Sequence, residues 1–182
     1  MKQLSLWSMV SVLTAGIFFA RQVHAGNLPP LPAQVSRQSY CSALSIASLT
    51  SEFGDWDAFQ VGSATLVARV HVEGILDDCV LREDYQDATG HQGQSFSVYD
   101  QSRNMWHQSW VTNRGELLVI EGTFRDGKMV LSGVDHVKPG RTIVRGVWKP
   151  VDGGVRETAA TSTDGGKTWK PWFDLTFRPH KP

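Results

Sequence analysis

The chain lacks an excess of charge of either sign: its 182 residues carry 18 Lys and Arg against 18 Asp and Glu. Proteins that bind nucleic acid or anionic membranes normally show a basic surplus or stripe, so neither partner is indicated. The spacings that mark several common chemistries are missing too. There is no glycine-rich phosphate loop, no nucleophile elbow and no Ser-His-Asp order. His71, His91, His136 and His180 are scattered, with no short-spaced ligand pair, which leaves a metal site without support. No cofactor is expected; haem held through one axial His stays open as an alternative. Cysteine is scarce, limited to Cys41 and Cys79. In an oxidising compartment such a pair is a candidate disulfide, the alternative being two independent buried thiols.

The N-terminus points to that compartment. Residues 1–25 read as a secretory signal peptide: Lys2 gives the positive start, Leu4 to Ala20 is mostly apolar, and Val23-His24-Ala25 ends on a small residue at the cut. The alternative is an uncleaved anchor, because the apolar run is about long enough to span a thin bilayer. No Cys follows Ala25, which argues against lipoprotein attachment. The expected location is periplasmic or secreted, with no membrane contact once the signal is removed. Residues 26–38, with Pro29, Pro30 and Pro32, read as an extended leader. Residues 39–52 read as a short amphipathic helix carrying Leu44, Ile46, Ala47 and Leu49.

No second helical block follows. From Trp56 the hydrophobic period drops from about 3.6 to two and stays there, which sets the domain at residues 53–182. Ser95 to Val111 reads as strand, polar turn at Gln101-Ser102-Arg103-Asn104, and strand. In its second arm Trp106, Gln108 and Trp110 share one face, with His107 on the other. Asp126-Gly127 is the strongest short hairpin signal. Lys138-Pro139-Gly140 and Asp152-Gly153-Gly154 mark further turns. The pattern gives about ten short strands at 8–12-residue spacing. A meander of that length leaves unpaired edges unless it closes, so the expected fold is all-β, a closed up-and-down antiparallel barrel preceded by the short helix. A two-sheet sandwich is the alternative.

Tyr99-Asp100, Trp106-His107-Gln108-Ser109-Trp110-Val111, Glu121-Gly122, Arg145 to Trp148 with Pro150, and Ser162 to Trp169 occur in that order. As a set, spanning about Phe53 to Arg178, they resemble an uncharacterised, largely exported bacterial family of lipocalin-like or calycin-like domains. The resemblance implies a β-barrel with an internal pocket and supplies no catalytic residues.

Ser162 to Trp169 matches Ser-x-Asp-x-Gly-x-Thr-Trp, the Asp-box hairpin repeated in sialidase propellers. One copy in a short chain excludes a propeller and leaves a structural hairpin. Glu83, in phase with Leu81 and Tyr85, and Glu157, in phase with Val155 and Ala159, are the carboxylates of interest. On inner faces they would enter an aromatic-lined cavity, where burial raises a carboxyl pKa and suits it to general-acid work. On outer or rim positions they would simply pair with Arg or Lys. The expected function is binding of a small, largely apolar molecule, with Trp106, Trp110, Trp148 and Tyr85 as walls and Gln108, Glu83 and Glu157 orienting its polar group. Gly146, between Val144 and Trp148, would leave space on that face. The alternatives are an enzyme using Glu83 or Glu157 as acid or base, with catalytic residues otherwise unknown, and a structural or partner-binding barrel with a filled core. Ligand identity and oligomeric state lie beyond the sequence.

Overall fold

The alternation that begins at Trp56 is realised as antiparallel strands. The structure, a computed structural model, describes residues 53–136 and 140–181, and no helix occurs among them. In chain order the strands are β1 (Gly54–Gln60), β2 (Leu66–Ile75), β3 (Val80–Asp87), β4 (Gln92–Asp100), β5 (Met105–Thr112), β6 (Leu117–Arg125), β7 (Lys128–Asp135), β8 (Thr142–Val151), β9 (Gly154–Ser162) and β10 (Lys170–Pro179). Each pairs with the next and β10 returns to β1, so the sheet is a closed up-and-down barrel and not a two-sheet sandwich. Trp56 opposite Pro179 and Ala58 opposite Phe177 are among the closing pairs. Closure removes the unpaired N–H and C=O rows that an open meander would expose. The signal peptide expected at 1–25, the leader at 26–38, and the helix at 39–52 with Cys41 lie outside the described residues, as do Lys138 and Pro139.

Turn chemistry sets the register. Arg125 pairs with Lys128 across a two-residue loop, in which Asp126 and Gly127 take φ values of 52° and 71°. Two positive φ values make the mirror-image turn whose twist matches the flanking strands. In the hairpin between β4 and β5 the Asp100 carboxylate accepts from the Ser102 amide at 2.9 Å and its hydroxyl at 2.6 Å, and Arg103 Nε donates at 2.6 Å. These bonds hold the Asp100 carboxyl well below the usual carboxylate range, the Ser102 hydroxyl contributing most. A bulge between β1 and β2, where Phe59 meets Leu66, slips the phase, so Leu66 is exposed while Ala68, Val70 and Val72 point inward and are buried.

Ser162 to Trp169 joins β9 to β10 as the expected hairpin lock. Asp164 accepts from the amides of Lys167 and Thr168 and from the hydroxyls of Thr168 and Ser162. Gly165 and Gly166 supply positive φ. The Trp169 indole N–H donates to the Gly166 carbonyl at 2.9 Å, and the Arg145 guanidinium lies 3.6 Å from the ring centroid.

Up-and-down topology gives the barrel two distinct ends. One carries the β2–β3, β4–β5, β6–β7 and β8–β9 connections, the start of β1 and the close of β10. We call it the mouth. The other carries the remaining connections, the Asp-box hairpin included.

Candidate functional site

The inner phase of the strands is the one on which Trp56, Trp106 and Trp148 sit. Trp106 is 4 % exposed and packs with Ile120, Met129 and Leu131. Val70, Val72 and Leu81 cluster with Trp56 on the opposite wall. His107 faces outward, its Nδ1 2.9 Å from the Glu121 carboxylate. Between the two clusters, on the mouth side, a cavity of about 80 Å³ remains. The atom-free space it joins, counted out to solvent, is about 700 Å³.

Five of the residues singled out in the sequence line this cavity: Trp106, Gln108, Trp148, Glu83 and Glu157. Register places them. Gln108 on β5 pairs with Ser97 on β4, and its Nε2 donates to the Ser97 hydroxyl at 3.0 Å. Glu83 on β3 pairs with Ser95 on β4; the Ser95 hydroxyl, itself 1 % exposed, donates to Glu83 Oε2 at 2.9 Å. Trp148 on β8 pairs with Glu157 on β9. Burial pushes the Glu83 carboxyl above its usual range and the negative Asp84 adds to this, while the Ser95 hydrogen bond pulls the other way. By surface area Glu83 is only half-buried, since it lines the cavity; the protein packed around the rest of the side chain is what desolvates it.

Tyr85 and Trp110 do not line the cavity. Trp110 folds over Gly93, where a Cβ would collide with its indole ring. It meets Tyr85 edge-on with ring centroids 5.7 Å apart. Both fill the barrel beyond the cavity, away from the mouth. The Tyr85 phenol still senses the site: burial raises its pKa most, and the negative charges of Asp87, Glu83 and Glu157 raise it further. Two carboxylates on opposite walls thus act on one phenol. Gly146 does not leave the space expected of it, because the Trp148 ring lies over it, 2.5 Å from where a Cβ would stand.

Sequence reasoning passed over Trp56, Ser97, Met129 and Phe177, which also line the cavity. Ser97 was legible: it shares the inner phase of Tyr99 and lies opposite Gln108 in the central hairpin. Trp56 and Phe177 were not, since they meet only through the closing pairing of β1 with β10, the longest-range contact in the fold. Cys79 closes the β2–β3 turn at the mouth, its amide donating to the Leu76 carbonyl at 3.2 Å, and Leu76, Asp77 and Asp78 all take positive φ. Among the described residues no group of three or more His, Cys, Asp or Glu side chains is placed to hold a metal ion.

The site is therefore a small hollow with aromatic and aliphatic walls, one amide and two carboxyl groups, the amide and the Glu83 carboxyl each buttressed by a serine hydroxyl. About 80 Å³ is roughly half the ~150 Å³ of an engineered apolar cavity that takes up benzene, so an occupant must be small or must extend into the mouth. No protein-family model matches the chain, and comparison with curated proteins finds no match.

Proposed function

We propose that this is an exported β-barrel protein that binds a small, largely apolar molecule in the mouth-side cavity. The observation that carries the reading is the composition of the cavity wall: Trp106, Trp148 and Leu131 beside Gln108, Glu83 and Glu157. Apolar walls with a few convergent polar groups are the usual makeup of a ligand site. The calycin-like resemblance points the same way. The direct test is a titration with butan-1-ol, short enough for the cavity and carrying one polar end, read by tryptophan fluorescence and by the indole N–H resonances. Saturable change confined to cavity tryptophans is the expected result. Absence of saturation would favour a barrel with a filled core.

A second reading has one observation in its favour. Burial keeps the Glu83 carboxyl protonated to higher pH than a solvated one, the state a general acid needs. Turnover of any bound compound that is abolished in Glu83→Gln, with binding retained, would establish an enzyme.

Export and the disulfide belong to the same proposal. The exported protein is expected to begin at Gly26 by mass spectrometry. A Cys41–Cys79 bridge would tie the N-terminal segment to the turn at the mouth and contribute roughly 4 kcal/mol on the chain-entropy account of loop closure. Free thiols in unreduced exported protein would refute it.

A further inference from the structure

The carboxyl groups of the cavity say more about its occupant than its size does. Glu83 and Glu157 line the same hollow, from β3 and β9 on opposite walls. Among the described residues that line it there is no Lys, Arg or His. Glu83 accepts from the Ser95 hydroxyl and lies near the like charge of Asp84. A buried carboxylate that faces no cation is costly to keep ionised, and removing water strengthens its attraction for any positive charge that enters. The walls add to this: Trp56, Trp106, Trp148 and Phe177 present ring surface to the hollow, and ring faces attract cations.

From this arrangement, and resting on the reading of the cavity as a ligand site, we propose that the ligand is a small protonated alkylamine, its ammonium group held by Glu83 and Glu157 and its alkyl chain against the aromatic walls. An ammonium carries three donors and no acceptor, so it matches carboxylate and hydroxyl acceptors and leaves none of its own groups unpaired. Charge-assisted hydrogen bonds are roughly twice as strong as neutral ones. An organic anion of the same length would meet the Glu83 carboxyl group, beside which stand a hydroxyl and the like charge of Asp84. A neutral alcohol would fit the walls and donate a single hydrogen bond to a carboxylate, but it brings no positive charge and only one donor in place of three.

The test compares three probes of one chain length on the full protein at neutral pH: n-butylamine, butan-1-ol and butyrate, followed by the indole N–H resonances at about 0.15 M salt, which screens amine binding to surface carboxylates. The expected result is butylamine at least tenfold tighter than butan-1-ol, with no saturable shift from butyrate. In Glu83→Gln and in Glu157→Gln the amine-to-alcohol ratio is expected to fall to within about threefold of one, and Glu83→Asp to retain part of the preference. Butan-1-ol binding as tightly as butylamine would overturn the amine assignment while leaving the cavity reading intact. Failure of all three probes would overturn both. Because the wild-type comparison decides by itself, a variant that misfolds does not rescue the proposal.

Discussion

Replacing Gly146 by Ala tests the cavity from its wall. The added Cβ would stand 2.5 Å from Cη2 of Trp148, 2.8 Å from Cζ3 and 3.3 Å from Cζ2. Carbon atoms settle about 3.5–4.0 Å apart, so the ring must retreat by roughly 1 Å. Gly146 lies in β8 between Leu131 and Ala159 and takes no positive φ, so the backbone accepts Ala. On its free side the ring borders the cavity, and retreat is into that space. Overpacking a full core costs about 1–3 kcal/mol. Two terms offset this. The unfolded chain loses freedom with Ala, worth about 0.4–1 kcal/mol. Filling about 30 Å³ of void is worth about 0.7 kcal/mol at the ~24 cal/mol per Å³ found for cavities. The net change in stability is therefore expected within about 1 kcal/mol of zero, by urea unfolding followed with far-UV circular dichroism. Affinity for butan-1-ol, by contrast, is expected to fall at least about tenfold, since the ring takes up room the probe needs. Loss of more than about 3 kcal/mol with probe affinity unchanged would show that the ring has nowhere to go, and would refute the cavity as described.

Trp110→Ala is expected to do the reverse, costing about 3 kcal/mol of stability through lost packing on Gly93 and Tyr85 while leaving butan-1-ol binding in place; lost binding with little loss of stability would put Trp110 in the site after all. Glu83→Gln should become progressively more stable than wild type as pH rises. Below the ordinary carboxyl value of 4.5 Glu83 is protonated folded and unfolded, so the buried neutral acid is fully tolerated. Stability is then lost as pH climbs through the raised folded value, about 1.4 kcal/mol for each tenfold displacement of that equilibrium. A difference between variant and wild type that stays flat from pH 4 to 8 would contradict this. Asp164→Ala is expected to lower the melting temperature at pH 7 by freeing the amides of Lys167 and Thr168. Because hydrogen bonds from Thr168 and Ser162 depress the Asp164 carboxyl, its contribution is present above the ordinary carboxylate value and lost as pH falls through the depressed one, so the variant and wild type should converge in strong acid.

Much of the fold was legible because strand phase is a two-valued quantity. Once Trp106 is assigned to the inside, Gln108 and Trp110 follow and His107 goes out, and each hairpin turn carries the phase to the next strand. Asp126-Gly127 and Asp100 with Ser102 did this locally, with chemistry visible in the sequence. Closure was legible in kind, since ten paired strands avoid two bare edges, but its register was not. Trp56 meets Pro179 across almost the whole domain, and no short-range signal sets that pairing.

The site was legible only by halves, for a reason that lies in the side chains and not in the strands. Phase assigns a side chain to the inner face but does not say which way along the barrel axis it leans. Trp110 leans from β5 over Gly93, at the start of β4 and away from the mouth. Trp148 leans over Gly146, also away from the mouth. In each case a glycine, lacking a Cβ, provides the bed on which an indole can lie flat. The two leans act together. Trp110 and Tyr85 fill the end of the barrel that carries the Asp-box hairpin, while Trp148, drawn down onto Gly146, uncovers the space between Glu83 and Glu157 at the other. Ten strands enclose more room than side chains fill uniformly, and the space left open lies on the mouth side of the two indoles laid over these glycines. The expected wall residues Trp110 and Tyr85 thus became packing, and the glycine expected to leave space became the bed for the ring that bounds it. The same reasoning makes Gly93→Ala and Gly146→Ala opposite perturbations: the first disturbs the filled end, the second the hollow one.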